Sequence, residues 1–142
     1  MTDGARKFSI SLTTPDGAVF EDEVEMVIVP GAAGEIGVLA RHAPLIALLK
    51  AGSTRIYSER DSGDVCEFAT GPGFFTVELD RAIALVDTAV NVREIDVGTA
   101  EAQLEDARME LERLDRGESE ADRWQLEQRI RAAENQLTAA GR

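Results

Sequence analysis

Polar and apolar residues alternate with a period of two across much of the first 90 positions, a pattern typical of strands that bury one face. In the run from Phe8 to Leu12 the apolar side chains alternate with serines, and residues 13–17 then carry a turn signal. A short second piece at 18–20 precedes an acidic cluster from Glu21 to Glu25. Because glycine and proline interrupt the pattern every several residues, about eight to ten short strands are predicted.

A central stretch from Val24 to Gly52 holds three such runs separated by breakers. Their period of two favours consecutive strands of one antiparallel sheet system over a helix. Glu35 is the only acid of the middle run, and we expect it on the rim of the sheet. The predicted strands cover 24–29, 34–39 and 45–49, with a turn at Pro30-Gly31 and a polar corner at 41–44.

Further runs extend this ladder as far as Val86. Residues 53–58 and 65–69 predict a hairpin that bends at Ser62-Gly63. Gly71-Pro72-Gly73 then breaks the ladder, since proline lacks a donor and glycine lacks a side chain. Two more strands, 74–79 and 82–86, are predicted on either side of Asp80-Arg81. The regular spacing predicts an antiparallel β-sandwich or flattened barrel.

The pattern changes near Val92, after which apolar residues recur at helical steps of three and four. Arg116-Gly117 predicts a helix stop, and Ser119 with Asp122 resembles a capping box that starts a second helix. The two stripes comprise Ala100, Leu104, Ala107, Leu111 and Leu114, then Leu126, Ile130, Ala133 and Leu137. The prediction is an α+β chain: a β-sandwich over residues 1–90, followed by an antiparallel two-helix hairpin over 91–142.

Alanines make up three of the nine residues of the predicted seam between the helices. Since burial stabilises by about 25 cal/mol per Å² of apolar surface, such a seam is only marginally stable without further contacts. The sequence therefore predicts a hairpin that can open. Trp124 is expected to pack at the seam or rim of the second helix.

Composition narrows the classes of partner. The formal net charge of −12 argues against a nucleic-acid surface and against direct binding to anionic lipid. The N-terminal residues do not resemble a secretory signal, and no apolar run approaches the roughly 20 residues that cross a bilayer. The single cysteine, Cys66, fits a reducing cytoplasm. If the protein works at a membrane, we expect another subunit to hold it there.

Few residues could carry catalysis. His42 and Cys66 would have to meet to form a dyad, and Cys66 is more simply a small buried strand residue. One histidine and one cysteine are too few for an ordinary zinc site. The carboxylates of 21–25 and 101–112 are interpreted as solvated faces. We therefore expect no catalytic residue and no metal site.

The central stretch contains the pattern V-P-G-x-x-G-E-x-G-V-L-x-x-H-A-P-L, from Val29 to Leu45. This pattern resembles the signature of the epsilon subunit of F-type (rotary) ATP synthases, and the chain length and order of parts also fit. The resemblance implies a non-catalytic central-stalk subunit of a proton-translocating synthase. Its implied place is the cytoplasmic face of the plasma membrane, peripheral and without direct insertion.

The resemblance also implies partners for particular residues. The loop around Glu35 would touch the membrane rotor ring of c subunits, although an acid on an edge strand also discourages pairing with other chains. His42 and Pro44 would lie near the gamma subunit, although a lone histidine often only bonds a neighbouring turn. The helices would extend toward the catalytic alpha/beta head, where the basic residues of the second helix meet an acidic segment: Arg123, Arg129 and Arg131.

Some epsilon subunits bind ATP through an I-D-x-x-R-A motif and arginines of the second helix. Here the run is Ile95 to Ala100, with Asp96 kept and the arginine replaced by Thr99, while the second-helix positions carry Ala132 and Gln136. Because phosphate recognition depends on the arginine fork, we expect no cofactor. An ATP site built from Asp96, Arg129 and Arg131 has little support. The near-neutral second helix predicts a mild brake on ATP hydrolysis at most.

Two other classes remain open. A free-standing β-sandwich binding module with a helical dimerisation tail would pair the stripes between chains. A small hydrolase would rest on His42 and Cys66. Co-purification with ATP synthase subunits separates the stalk subunit from both.

Overall fold

The computed structural model describes residues 6–61 and 63–141. The chain divides into two compact units, one ending at Asn91 and one starting at Val92. The described residues of the first unit form ten strands, which are β1 Phe8–Thr14, β2 Gly17–Val24, β3 Met26–Gly31, β4 Gly34–Leu39, β5 Leu45–Leu49, β6 Gly52–Tyr57, β7 Cys66–Thr70, β8 Gly73–Glu78, β9 Arg81–Val86 and β10 Ala89–Asn91. The second contains a 3-10 turn at Val92–Glu94 and the helices α1 Val97–Asp115 and α2 Arg123–Ala139.

The strands form one nearly closed sheet in the order β10-β7-β6-β3-β5-β8-β9-β1-β2, with β4 paired to β3. Alternate side chains enter a single apolar core, as the period of two requires. The largest fully buried ones include Phe75, Ile10, Leu12 and Ile56. The predicted fold class, a β-sandwich or flattened barrel followed by two helices, is confirmed.

One pair departs from the predicted antiparallel arrangement. Strand β1 runs parallel to β9, with Ile10 opposite Ala82 and Leu12 opposite Ala84. All four of these side chains are buried. Parallel neighbours cannot be joined by a tight turn, so a pairing between the two ends of the unit leaves no local signal in the sequence.

The predicted turn at Pro30-Gly31 is wrong. Both residues belong to β3, and the two-residue turn of the β3–β4 hairpin is Ala32-Ala33. Proline has no backbone N–H, and it is tolerated at Pro30 because the end of a strand does not require this donor. The carbonyl of Pro30 accepts a hydrogen bond from the N–H of Lys50 at 3.0 Å.

The acidic cluster after residue 20 is not a break between strands. Strand β2 continues to Val24, and β3 starts only at Met26. Glu21, Asp22 and Glu23 are exposed on β2, which is an edge strand, so their charges stay in water. Charged residues on an edge also discourage pairing with other chains. In the predicted bend between β6 and β7, Ser62 lies outside the described residues, while Gly63 has a left-handed φ of 82°.

The predicted end of α1 at Arg116-Gly117 is confirmed. Gly117 has a φ of 74°, and its N–H donates to the carbonyl of Leu114 while that of Glu118 donates to Arg113. These two bonds form a Schellman motif that satisfies the last carbonyls of the helix.

The predicted capping box at Ser119 is wrong, because α2 begins four residues later at Arg123. Asp122 is its N-cap and accepts the N–H of Trp124 at 2.9 Å. The hydroxyl of Ser119 instead accepts the N–H of Ala121 and bonds the carboxylate of Glu110 on α1. The side chain of Trp124 is 66% exposed, which excludes packing at the seam and is compatible with the other predicted position, the rim of the second helix.

Gly73 has no room for a side chain, because a Cβ there would overlap the carbonyl oxygen of Leu85 on β9. We expect Gly73→Ala to lower the free energy of unfolding by about 1–3 kcal/mol, the usual cost of overpacking. Gly37→Ala on β4 is the matched control, because its Cβ would meet nothing within 4 Å. Urea denaturation of the three proteins measures both effects, and equal stabilities of the two variants would contradict the prediction.

Candidate docking surfaces

The β3–β4 hairpin is held in a fixed shape at one end of the sandwich. The N–H of Ala32 in its turn donates to the carbonyl of Leu48 on β5 at 2.9 Å. Gly34 has a φ of 143°, which other residues rarely adopt. A Cβ on Gly31 would lie 2.5 Å from the carbonyl oxygen of Gly34, so this glycine is required by close packing.

An open cleft of about 420 Å³ lies beside this turn. Its apolar wall includes Ile36 of β4 and Leu48 of β5, together with the two turn alanines. Glu35 is the one charged residue of the lining. The hairpin end therefore presents a shallow apolar recess with a carboxylate at its rim.

The carboxylate of Glu35 is paired within the chain. Its Oε2 accepts a hydrogen bond from the guanidinium of Arg55 on β6 at 2.8 Å, and the two side chains are 62% and 31% exposed. Strand β4 pairs only with β3 among the described residues, so Glu35 also stands on an edge strand. Both interpretations of Glu35, as an edge acid and as a contact residue, are compatible with this position.

The polar corner between β4 and β5 lies at the opposite end of β4 from Glu35. Strand β4 continues for four residues beyond Glu35 to Leu39, which at 3.3 Å per residue is roughly 13 Å, and the chain then turns at Ala40 and Arg41. His42 is partly exposed, and its Nδ1–H donates to the carbonyl of Ala43 at 2.6 Å, the local bond expected of a corner histidine. Pro44 is exposed just before β5 begins.

This corner is fixed to the β8–β9 turn. Arg41 has a left-handed φ of 64°, and its N–H donates to Oδ1 of Asp80 at 3.0 Å. The preceding Leu79 also has a positive φ, 58°, and is 82% exposed. Two left-handed residues other than glycine thus meet at one end of the sandwich, where surrounding contacts hold conformations that cost about 1–3 kcal/mol each.

A third surface is apolar and was missed by the sequence analysis. Leu48 of β5 is directly opposite Phe74 of β8, which is opposite Leu85 of β9. All three face outward, and with Ile46 they are 59%, 54%, 49% and 79% exposed. We call these four residues the apolar sheet face. The signal was present, because residues 45–49 and 82–86 are continuously apolar rather than alternating.

The basic residues of α2 are partly engaged within the hairpin. Arg123 forms an ion pair with Asp115 at the end of α1, and this contact raises the pKa of Arg123. The hydrogen bond from Ser119 lowers the pKa of Glu110, and the charges of Arg113 and Arg129 act in the same direction. Arg129 and Arg131 are exposed on α2.

The hairpin does not bring the three candidate ATP-binding residues together. The ion pairs Arg108–Glu134 and Asp115–Arg123 fix the register of the helices, which places Arg129 and Arg131 beside the middle of α1 near Glu110. Asp96 precedes Glu110 by 14 residues, which is roughly 20 Å along a helix.

Asp96 also has a structural task. It is the N-cap of α1, and its carboxylate accepts the N–H of Thr99 at 3.1 Å. Thr99 stands at the position of the arginine in the ATP-binding motif. Its backbone N–H is the group that bonds the carboxylate of Asp96. No other role for Asp96 is needed to explain its position.

His42 and Cys66 belong to different parts of the sandwich. Cys66 starts β7 and packs against the core, where its sulfur accepts a hydrogen bond from the amide of Asn91 at 3.8 Å. His42 lies in the loop between β4 and β5 and bonds its own turn. No cluster of three or more potential metal-binding side chains occurs in residues 6–61 and 63–141. Within the same residues, neither helix is long and apolar enough to span a bilayer.

The chain consists of a β-sandwich with ordered loops at both ends, followed by a pair of helices. Comparison with known proteins identifies the class of protein that has this architecture. Residues 7–92 match the family model of the ATP synthase delta/epsilon chain, β-sandwich domain. The chain is 35% identical to the ATP synthase epsilon chain of Desulforamulus reducens, over 96% of its length and 98% of that protein. It is also 35% identical to the epsilon chain of Halalkalibacterium halodurans, over 94% and 96%.

A solved structure extends this likeness to the whole chain. A chain of the Euglena gracilis mitochondrial ATP synthase assembly containing OSCP, F1 and the c-ring superposes with a TM-score of 0.74 at 25% identity, covering 99% of this chain and 85% of that one. This chain belongs to the family of ATP synthase epsilon chains.

Protonation of Asp96 is expected to weaken the N-cap of α1. Hydrogen bonds from Thr99 lower the pKa of Asp96, so the cap contributes fully above the pKa of the unfolded carboxyl and is lost as the pH falls through the lower native value. We expect the amide proton of Thr99 to shift in NMR spectra with an acidic midpoint below about 3.9, the ordinary aspartate pKa. Asp96→Asn keeps the acceptor but cannot ionise, so it should abolish this titration, and a persisting shift would contradict the assignment.

Proposed function

We propose that this chain is the central-stalk subunit of a proton-translocating F-type ATP synthase on the cytoplasmic face of the plasma membrane. In this role it is non-catalytic and couples rotation of the membrane ring to ATP synthesis. Membership of the epsilon family supports the proposal. The observation that carries it is the presence of two separate contact surfaces on one rigid sandwich, one at each end of β4, together with an apolar sheet face that adjoins the cleft at Leu48.

A rotor part between two neighbours needs two surfaces that do not overlap. The Glu35 hairpin and its cleft form one end of the sandwich, and we assign it to the rotor ring. The corner with His42 and Pro44 follows the opposite end of β4, which lies roughly 13 Å from Glu35 along the strand, and we assign it to the gamma subunit. Because both loops are fixed by hydrogen bonds to other strands, torque can pass between them without loop rearrangement.

The apolar sheet face is assigned to the gamma subunit as well. Contiguous exposed apolar side chains are unfavourable in water and usually mark a protein interface. Phe74 lies at its centre between Leu48 and Leu85, the position where an aromatic residue contributes most to binding. Self-association through this face would instead favour the free-standing binding module.

We further propose that the helices restrain ATP hydrolysis when they extend toward the alpha/beta head. Because the seam contains alanines, which bury little apolar surface, separating the helices costs little free energy. The ion pairs Arg108–Glu134 and Arg123–Asp115 oppose this separation. All of these side chains are about half exposed, so each pair is worth little and is weakened by salt. Because opening breaks the Arg123–Asp115 pair, Arg123, Arg129 and Arg131 together supply the positive charge for a mild brake.

Phe74→Ser is expected to weaken binding of this chain to ATP synthase from which it has been removed. Losing a buried aromatic side chain costs about 1.5–3 kcal/mol, which corresponds to roughly 10- to 150-fold in the dissociation constant. Val19→Ser is the matched control, because Val19 is an exposed apolar residue on the edge strand β2. Titration of the depleted complex with labelled chain measures both, and similar losses in the two variants would contradict the assigned face.

Removal of everything after Asn91 tests the helical brake. The cut keeps β10, which pairs with β7, and therefore leaves the first unit complete. We expect ATP synthesis to survive and ATP hydrolysis to rise modestly, because only the restraint is lost. Arg129→Gln/Arg131→Gln in the full chain is the matched variant and should reproduce part of the rise. Unchanged hydrolysis in the truncated protein would exclude the regulatory role.

A further inference from the structure

Arg55 reaches across one strand to bind Glu35. In the sheet Arg55 of β6 is opposite Ile28 of β3, and Ile28 is opposite Gly37 of β4. Glu35 lies two residues before Gly37 on the same face of β4, so the guanidinium spans β3 diagonally to meet the carboxylate at 2.8 Å. The ion pair therefore connects β4, at the rim of the cleft, to β6 on the far side of β3.

The surroundings of Arg55 favour this one geometry. Its Nε is buried and has no hydrogen-bond partner among the described residues, so the inner side of the guanidinium lies against the protein. Glu67 is directly opposite Arg55 on β7, but its carboxylate bonds the hydroxyl of Ser53. Of these two acids, Glu35 is the one that holds the outer nitrogen of Arg55.

The pairing changes what the cleft can recognise. Apart from Glu35, its lining is formed by glycine, alanine, isoleucine and leucine. A carboxylate that already bonds an arginine attracts a second cation less strongly, because the two charges largely cancel at a distance. An uncharged segment can then cover the rim without leaving an unpaired charge beneath it.

We propose that Arg55 is a positioning residue that holds and neutralises Glu35, so that the cleft accepts an uncharged loop segment of the rotor ring. That segment would place an apolar side chain in the recess and a neutral hydrogen-bond donor on the carboxylate, rather than a lysine or arginine. This inference rests on the assignment of the Glu35 hairpin to the ring. It specifies the chemistry of that contact and adds Arg55 to the residues that determine it.

A double-mutant cycle on the full chain tests the proposal. Wild type, Arg55→Gln, Glu35→Gln and the double variant are titrated into ATP synthase depleted of this chain, at several salt concentrations. We expect Arg55→Gln to weaken binding roughly five- to tenfold, because docking then covers an unpaired carboxylate. Adding Glu35→Gln should restore binding, and the double variant has the same net charge as wild type.

A cationic ring contact gives the opposite pattern. Arg55→Gln would then bind as tightly as wild type or tighter, and Glu35→Gln would weaken binding in both backgrounds, with a steeper salt dependence when Arg55 is absent. Either result would overturn the inference. Arg55→Lys keeps the charge and should stay within about twofold of wild type. Equal melting temperatures of the free variants exclude misfolding as the cause.

Failure of the inference is distinct from failure of the proposed function. If the wild-type chain does not rebind the depleted complex, the stalk assignment itself fails. If it rebinds and Phe74→Ser weakens it, but the Arg55→Gln defect is not rescued by Glu35→Gln, only the proposed role of Arg55 fails.

Discussion

The pairing of β3 with both β4 and β6 is the constraint on which the rest of the molecule depends. Val27 and Val29 of β3 are fully buried, and Val38 of β4 is buried beside them, so the register of this ladder is set by the core. A slip by one residue would expose all three valines. The same register sends Glu35 to the rim and lets Arg55 reach it across β3. The contact loops are therefore consequences of core packing rather than independent features.

Rigidity at the two ends of the sandwich comes from different sources. At the Glu35 end, glycines permit the tight hairpin, and backbone hydrogen bonds tie it to β5. At the other end, a hydrogen bond to Asp80 holds the backbone of Arg41 in a left-handed conformation that is more usual for glycine. A part that transmits torque needs fixed loops at both ends. The proposed stalk role thus agrees with the local physics of each loop.

The helical unit follows another principle. Its buried positions include three alanines, Ala100, Ala107 and Ala133, so the apolar contribution is small. Its polar contacts are mostly exposed ion pairs, which salt weakens. One of these pairs joins Asp115 of α1 to Arg123 of α2, and the other joins Arg108 of α1 to Glu134 of α2. A weakly apolar seam combined with weak ion pairs suits a helical hairpin that opens and closes.

Most of the architecture could be predicted from the sequence because it is encoded locally. Strands such as 34–39 and 45–49 were predicted with the observed bounds, since alternation and flanking breakers are short-range properties. The two helical stripes and the stop at Gly117 are equally local. The predicted start of α2 also rested on a local signal, and it was wrong. Ser119 and Asp122 are both residues that cap helices, and only their contacts in the structure show that Asp122 is the N-cap.

By itself, the sequence determined that about eight to ten short strands precede a helix pair, and it determined the family to which the chain belongs, because periodicity, breakers and a spaced motif survive without coordinates. The short strand β10 at Ala89–Asn91 was not predicted. Only the tertiary structure decided the parallel β1–β9 pair, the apolar sheet face and the bond between Arg55 and Glu35. Each of these joins residues that are distant along the chain. Their meeting depends on the closure of the whole sheet, which no short stretch of sequence specifies.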